Sequence, residues 1–238
     1  MKNDLFEYAL TVGESKIHLK SDKRIAIREA VKEIKRLRRE LVLYIKGHPE
    51  FQYSLSPLEA SPEAPRIVRD MVRSSKIAKV GPMASVAGTI ADLGLEAMLR
   101  KGAKTAIVED GGEIAGFTEQ QVSILVSILS SDTSLSGKLG FRISREDCPI
   151  GIATSSSKTG HALSFGEADS VTVVASSASL ADAAATAICN SVVGTDIEES
   201  IQQGLKRAET IEGVRGVIII REGHTGLWGR LPKIVRVR

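Results

Sequence analysis

An α/β fold, with mixed sheets covered by helices, is predicted by three observations. Apolar alternation near the start of the 238-residue chain, strands marked by turn signals in its middle and an unbroken apolar run near its end read as β-structure. Between them, apolar residues recur at steps of three and four, the spacing that puts them on one helix face. Hydrophobic residues make up 42% of the chain but aromatic ones only 4%, so the core must be aliphatic. At roughly 150 residues per domain the length fits one large domain or two small ones. No segment reads as a domain boundary, so a single domain over residues 1–238 is expected.

In chain order, Phe6, Tyr8, Leu10 and Val12 alternate, as do Ile17 and Leu19 after Gly13-Glu14, which predicts a hairpin over 6–20. Ser21-Asp22 offers a cap, and Ile27, Ala30, Val31, Ile34, Leu37, Leu41 and Tyr44 mark a long amphipathic helix. Residues 49–65 hold four of the seven prolines and read as a loop. A shorter helix follows over 66–78, with Ile67, Val68, Met71, Val72 and Ile77 inward. After Gly81-Pro82 a small-residue helix runs to Lys101, with Gly102 at its end. Residues 105–117 read as strand, Gly111-Gly112 turn and second strand, and 122–144 as strand, polar loop and strand. Beyond 151–190, a helix over 196–210 capped by Thr195 or Asp196 leads into the apolar run Val217 to Ile220, buried on both faces, then a glycine-rich turn and a last strand. His224 and Trp228 sit in turn chemistry and read as structural.

Composition excludes several function classes. Twelve Lys/Arg stand against seven Asp/Glu in residues 1–46, so the basic excess sits on the first helix. Neither base-stacking aromatics nor a nucleic-acid motif accompanies it, and a solvated face is the plainer reading. A weaker possibility is an interaction surface using Arg36, Arg38 and Arg39. Cys148 and Cys189 form no CxxC and no Cys/His cluster, which argues against a zinc site or a disulfide framework. The start MKNDLFEYAL lacks the order of a signal peptide, and no apolar run approaches the roughly 20 residues of a membrane span. The expectation is a soluble cytoplasmic protein.

Potential site chemistry is concentrated between Gly151 and Asn190. Asp182 and Thr186 are four apart, so on a helix they share a face, and a carboxylate with a hydroxyl, a backbone carbonyl and waters suits a hard cation such as Mg2+. The alternative is that Asp182 complements the helix dipole and Thr186 packs by its methyl. Thr154 to Ser157 form a polar strand end. His161 follows a glycine and could act as a general base or donate to a phosphate. A Ser-His-Asp hydrolase finds no GxSxG elbow, and SGKLG lacks the first glycine and the Ser/Thr of a P-loop. Gly111-Gly112 is either a plain turn or a pair of amides open to an anion. Thr89-Ile-Ala-Asp92 and Ser179-Leu-Ala-Asp182 echo one another, each placing an acid near a helix start.

Taken in order, ATSS, a following histidine, SVTVVA and ADAAATA resemble the ApbE-like flavin transferases, whose pattern reads ATSG, HxxDPxTG, VTVxA, ADAxxTA. Gly111-Gly112-Glu113-Ile114 resembles that family's GGDI/GGEI turn, and Gly88 with Asp92 matches its KGxxxD element. The likeness spans residues 80–194, and GHxLSFGxAD is most similar to the compact, cytoplasmic, mostly archaeal branch.

The resemblance implies an ApbE-like fold and Mg2+-dependent transfer of FMN from FAD to a protein Ser/Thr, with AMP leaving. It further implies Asp182, Thr186 and the Ala84 carbonyl as metal ligands. Ala84, Ser85, Gly111, Gly112, Thr154 and Ser155 would line the cofactor pocket, with His161 near the phosphates as the catalytic residue. A flavin or nucleotide and a protein acceptor are the implied partners; homo-oligomerisation stays open, and neither nucleic acid nor membrane is expected. Ala87 stands where the motif has lysine, and DPxTG is absent after His161. The other reading is therefore a non-catalytic flavin-, nucleotide- or pterin-binding protein.

Overall fold

A computed structural model describes residues 5–119, 124–127, 139–157 and 165–236. The alternating segments form strands β1 (Phe6–Val12) and β2 (Ser15–Ser21), paired antiparallel from Phe6↔Ser21 to Val12↔Ser15. Helix α1 (Arg24–Gly47) buries Ala26, Ile27, Ala30, Ile34, Leu37 and Leu41, the stripe its periodicity predicts. Its cap differs from expectation. Lys23 is the N-cap residue and gives no side-chain bond, while the Asp22 carboxylate accepts the Lys104 and Thr105 amides instead. Asp22 thus anchors the incoming strand rather than the helix.

The proline-rich segment contains one helical turn, α2 (Glu50–Tyr53), because Phe51 is 1% exposed and packs edge-on to Tyr44. Helix α3 (Arg66–Ala78) turns Ile77 outward, since Ile67, Val68, Met71, Val72, Ser75 and Ala78 already fill the inward stripe. A 3-10 turn, Pro82–Ser85, leads into α4 (Val86–Arg100), and Gly102 at φ 73 follows its end. Strands β3 (Thr105–Asp110) and β4 (Glu113–Thr118) flank Gly111 and Gly112, both at positive φ as a two-residue hairpin turn demands.

Further along lie β5 (Ile124–Ser127), β6 (Leu139–Ile143), β7 (Ile150–Ser155), β8 (Ser170–Ala175) and α5 (Ala178–Cys189). Helix α6 (Ile197–Glu209) is capped by Asp196, whose carboxylate accepts the Glu199 amide. Strands β9 (Val214–Arg221), β10 (His224–Gly229) and β11 (Lys233–Arg236) complete the chain.

Eight strands form one antiparallel sheet in the order β1-β2-β3-β4-β7-β8-β9-β10, and β11-β6-β5 form a smaller one. Each half of the large sheet repeats a plan of two strands, a helical excursion and two more strands. The middle of the large sheet, from β3 through β4, β7 and β8 to β9, is buried on both sides, whereas β1 and β10 at its edges are largely exposed. Ile17, Leu19, Val108 and Ala115 meet α1, α3 and α4, while Ala153, Val171, Val173, Val217 and Ile219 meet α5 and α6. On the reverse face Ile107, Ile114, Ile152, Val174, Ile218 and Ile220 pack on Phe141 and Ile143 of the small sheet. The apolar run Val217 to Ile220 is buried on both faces, as its sequence predicts.

Candidate functional site

Helices α4 and α5 cross near their N-termini, and each receives an acid from the other. Asp182 of α5 accepts the Gly88 amide of α4 at 3.0 Å. In return Asp92 of α4 accepts the Ala178 and Ser179 amides of α5 at 2.8 and 2.9 Å. The first amides of a helix lack intrahelical partners and carry partial positive charge, so a carboxylate there is stabilising by about 1 kcal/mol. The echo between the two tetrapeptides is therefore a reciprocal cap.

The same acids stand in a charged neighbourhood. Asp182 is pushed up to about 8, first by burial, with the Asp110 and Asp92 charges adding and the Gly88 amide opposing. Glu113 is raised well above the usual range by burial and then by Asp182 and Asp110. Asp110 is pushed up to about 6 by burial, against the Ser15 hydroxyl and the Arg38 charge. Burial also raises Asp92. Sequence reasoning missed Asp110 and Glu113 as site residues. Their signal was available, because acids flanking a two-residue turn must face each other on one side of the sheet.

Thr186 follows Asp182 by one turn and is 8% exposed. Ala84 lies in the 3-10 turn and packs against the α5 core. Ser85 is fully buried, its hydroxyl 2.9 and 3.2 Å from the Pro82 and Met71 carbonyls, so that side chain holds the turn. Gly111 and Gly112 stand between Asp110 and Glu113. Thr154 and Ser155 diverge. Strand alternation puts Ser155 on the α5 side with Ala153, whereas Thr154 lies with Ile152 on the small-sheet side and meets the Thr172 hydroxyl at 2.9 Å. His161 lies outside the described residues.

Asp182 and Thr186 offer oxygen atoms one helical turn apart on α5, which suits a hard cation that keeps several waters. Among the described residues no three His, Cys, Asp or Glu side chains converge as a metal cluster. A cation here would therefore rest on Asp182, a hydroxyl and a carbonyl. Beyond burial, the Asp110 charge raises both Asp182 and Glu113, and Asp182 raises Glu113, a crowding that a cation beside Asp182 would relieve. A separate cavity of about 370 Å³ between α3, α4 and the start of α5 reaches Asp92, Ser177 and Ser179.

A family model described as AbpE bacteria matches residues 1–226. The chain belongs to this family. Relatives include a UPF0280 protein of Methanococcus vannielii, 40% identical over 235 residues, covering 98% of this chain and 94% of the relative. Another is a UPF0280 protein of Methanothermobacter thermautotrophicus, 42% identical, covering 95% and 86%. Among solved structures, the flavin transferase ApbE of Vibrio cholerae matches with a TM-score of 0.61 at 14% identity, over 98% of this chain and 97% of that one. The ApbE protein of Thermotoga maritima matches with a TM-score of 0.59 at 13% identity, over 98% and 97%. The family thus carries the ApbE fold, and the resemblance read from its motifs is borne out. Among the described residues no helix is long and apolar enough to cross a membrane.

Proposed function

We propose that this member of the family is a Mg2+-dependent cytoplasmic enzyme acting at the diphosphate of a flavin or related dinucleotide. Residues 1–238 act as a single domain, transferring FMN from FAD to a protein acceptor or hydrolysing FAD. The observation that carries the reading is Asp182, placed beside the α4 amides and flanked by the charges of Asp110 and Glu113. The ApbE fold and the flavin transferase of Vibrio cholerae with the same architecture support the substrate class.

Asp182, Thr186 and the Ala84 carbonyl would hold the cation. Mg2+ would supply neutralisation of the diphosphate and of charge developing in phosphoryl transfer. The Gly111 and Gly112 amides would bind ligand oxygens, since glycine lets a ligand approach the backbone closely. Ser155 would add a hydroxyl from the same sheet face, and His161 would carry a proton to or from the reacting oxygen. Ser85 and Thr154 would support the walls through the bonds described.

Incubation with FAD and Mg2+, followed by chromatography, tests the proposal. AMP and FMN release, or FMN attached to an acceptor, is expected; neither product with any acceptor supplied would refute it. Ala87 in place of the motif lysine, together with the absent DPxTG, favours a second reading as a non-catalytic flavin, nucleotide or pterin binder. That reading predicts a ligand-dependent rise in melting temperature without turnover.

A further inference from the structure

Strand β1 forms one edge of the large sheet, and among the described residues no other strand pairs with its outer side. Natural edges are blunted by proline, lysine, bulges or brevity, because a free row of backbone groups is a template for another strand. β1 has none of these devices. It pairs with β2 over seven residues without a bulge, holds no proline, glycine or lysine, and its one charge, Glu7, is taken by Lys20 of β2. The opposite edge, β10, contains Gly226 and Gly229, which weaken a strand. Across the two-residue turn, Val12 and Ser15 form a hydrogen-bonded pair, and such pairs alternate from there. Phe6, Tyr8, Leu10 and Val12 therefore use their backbone groups on β2, whereas the N–H and C=O of Glu7, Ala9 and Thr11 face outward. Leu10 packs on the core beneath α1, and Phe6 and Tyr8 share its side of the sheet while 37% and 50% exposed.

Helix α1 supplies a wall to this edge. The Arg24 guanidinium lies 4.6 Å above the Phe6 ring, and at the other end of the strand Arg38 donates to the Ser15 hydroxyl at 2.6 Å. Arg24 to Arg38 spans about 21 Å of helix. Phe6 to Val12 spans about 20 Å of strand, so flank and edge run side by side. Arg28, Val31 and Lys35 fall between them at the steps of four, seven and eleven that keep one helix face. The acids of α1 point elsewhere: Glu33 and Glu40 bind Arg36, and Glu29 faces Lys101. The hairpin's other acid, Glu14, stands in the turn at the end of the edge. Arg66, Arg73 and Arg100 on α3 and α4 are each paired with an acid. Among the described residues, Arg24, Arg28 and Lys35 have no ion-pair partner.

We infer that the β1 edge and this cationic flank of α1 form a docking site for an extended, acidic segment of a partner protein, added to the eight-stranded sheet as a further strand. The outward groups of Glu7, Ala9 and Thr11 would pair with its backbone, its apolar side chains would cover Phe6 and Tyr8, and its acids would reach Arg24, Arg28 and Lys35. A second copy of this chain fits poorly, because pairing β1 with itself would set two unpaired cationic flanks side by side. A nucleic acid strand would leave the outward amides unused. The site is separate from Asp182 and holds whether or not a cation binds there.

Fluorescence anisotropy tests the assignment, with a labelled peptide of alternating Val and Glu long enough to span β1. Two companion peptides share its length: one has Lys in place of Glu, and one is methylated at its backbone nitrogens, which keeps the charges and removes the donors. Wild type should bind the acidic peptide and neither companion. Ala9→Pro removes one outward amide and spares the ladder to β2, and it should weaken binding about tenfold. Arg28→Glu with Lys35→Glu should weaken it by at least about tenfold, since like charges then meet across the interface. No binding of the acidic peptide by wild type would overturn the inference, as would equal binding of the methylated peptide or undiminished binding by A9P. Preference for a polydeoxythymidine strand over the peptide would assign the flank to nucleic acid and overturn it too. A wild-type dimer in sedimentation that A9P converts to monomer would assign the edge to a second copy, with the same consequence. If A9P does not fold, the methylated peptide on wild type decides.

Discussion

Gly88 and Ala178 stand at a helix crossing so close that a β-carbon on Gly88 would lie 2.2 Å from the Ala178 carbonyl oxygen. The approach lets Asp182 reach the Gly88 amide and Asp92 reach the Ala178 amide. Replacing Gly88 by alanine must push the helices apart, so a loss of about 3 kcal/mol is expected, the upper range for overpacking. Gly47→Ala is the control, because nothing lies within 4 Å of a β-carbon there. It should leave stability within about 1 kcal/mol or raise it. Urea unfolding of the two variants makes the comparison.

The raised carboxylates fix the sign of a pH effect. Asp182 and Asp110 move up from 3.8 to about 8 and about 6 on folding. Each therefore contributes stability that is full below the ordinary aspartate range and is lost as pH rises through the folded value. In chelator, melting temperature should fall between about pH 4 and pH 8, and D182N should flatten the upper part of that decline. Added Mg2+ should recover the loss at pH 8. A wild-type curve that climbs across this interval would contradict the assignment.

Ser155 and Thr154 separate the two faces of one strand. Thr154→Val should cost about 1 kcal/mol, because it leaves the buried Thr172 hydroxyl short of a partner, and should leave flavin or nucleotide binding unchanged. Ser155→Ala should weaken that binding with little change in stability. Equilibrium dialysis with FAD, paired with thermal melts, distinguishes these outcomes.

Arg221 is 5% exposed, bridges Glu167 at 2.6 Å, has the Glu222 carboxylate only at 3.9 Å from Nε, and has no hydrogen-bond partner for Nε or Nη1 among the described residues. Removing one partner of such a pair strands a charge, whereas removing the charge itself does not. Glu167→Ala should thus cost about 2 kcal/mol and Arg221→Met less than about 1 kcal/mol. Denaturant midpoints that reverse this order would show that Glu167 is not the partner that matters.

Much of the fold was legible because burial writes itself into periodicity. The stripe from Ala26 to Leu41 and the unbroken apolar run from Val217 to Ile220 are seen in the sequence and in the core alike. Local detail was lost where one residue decided it. Phe51 draws a helical turn out of a proline-rich segment, and Asp22 serves a strand instead of the helix it precedes. Within the site, Asp182 and Thr186 could be paired because four residues make one helical turn. Asp110 and Glu113 could not be joined to Asp182, since the hairpin and α5 are distant in sequence and meet only through the folded sheet. The contact of Arg38 with the Ser15 hydroxyl, at 2.6 Å, was hidden for the same reason: it depends on the β1–β2 turn, where a β-carbon on Gly13 would lie 2.5 Å from Arg38 Nη2.

Between the halves of the large sheet, β4 and β7 share only the registered pairs Ile114↔Ile152, Ala115↔Gly151 and Gly116↔Ile150. Above that short seam, α4 of one half and α5 of the other finish each other's ends. The chain thus behaves there like two small subunits fused through an internal interface. A ligand bound at Asp182 would act as a rivet between them, because Asp182 on α5 already holds the Gly88 amide of α4.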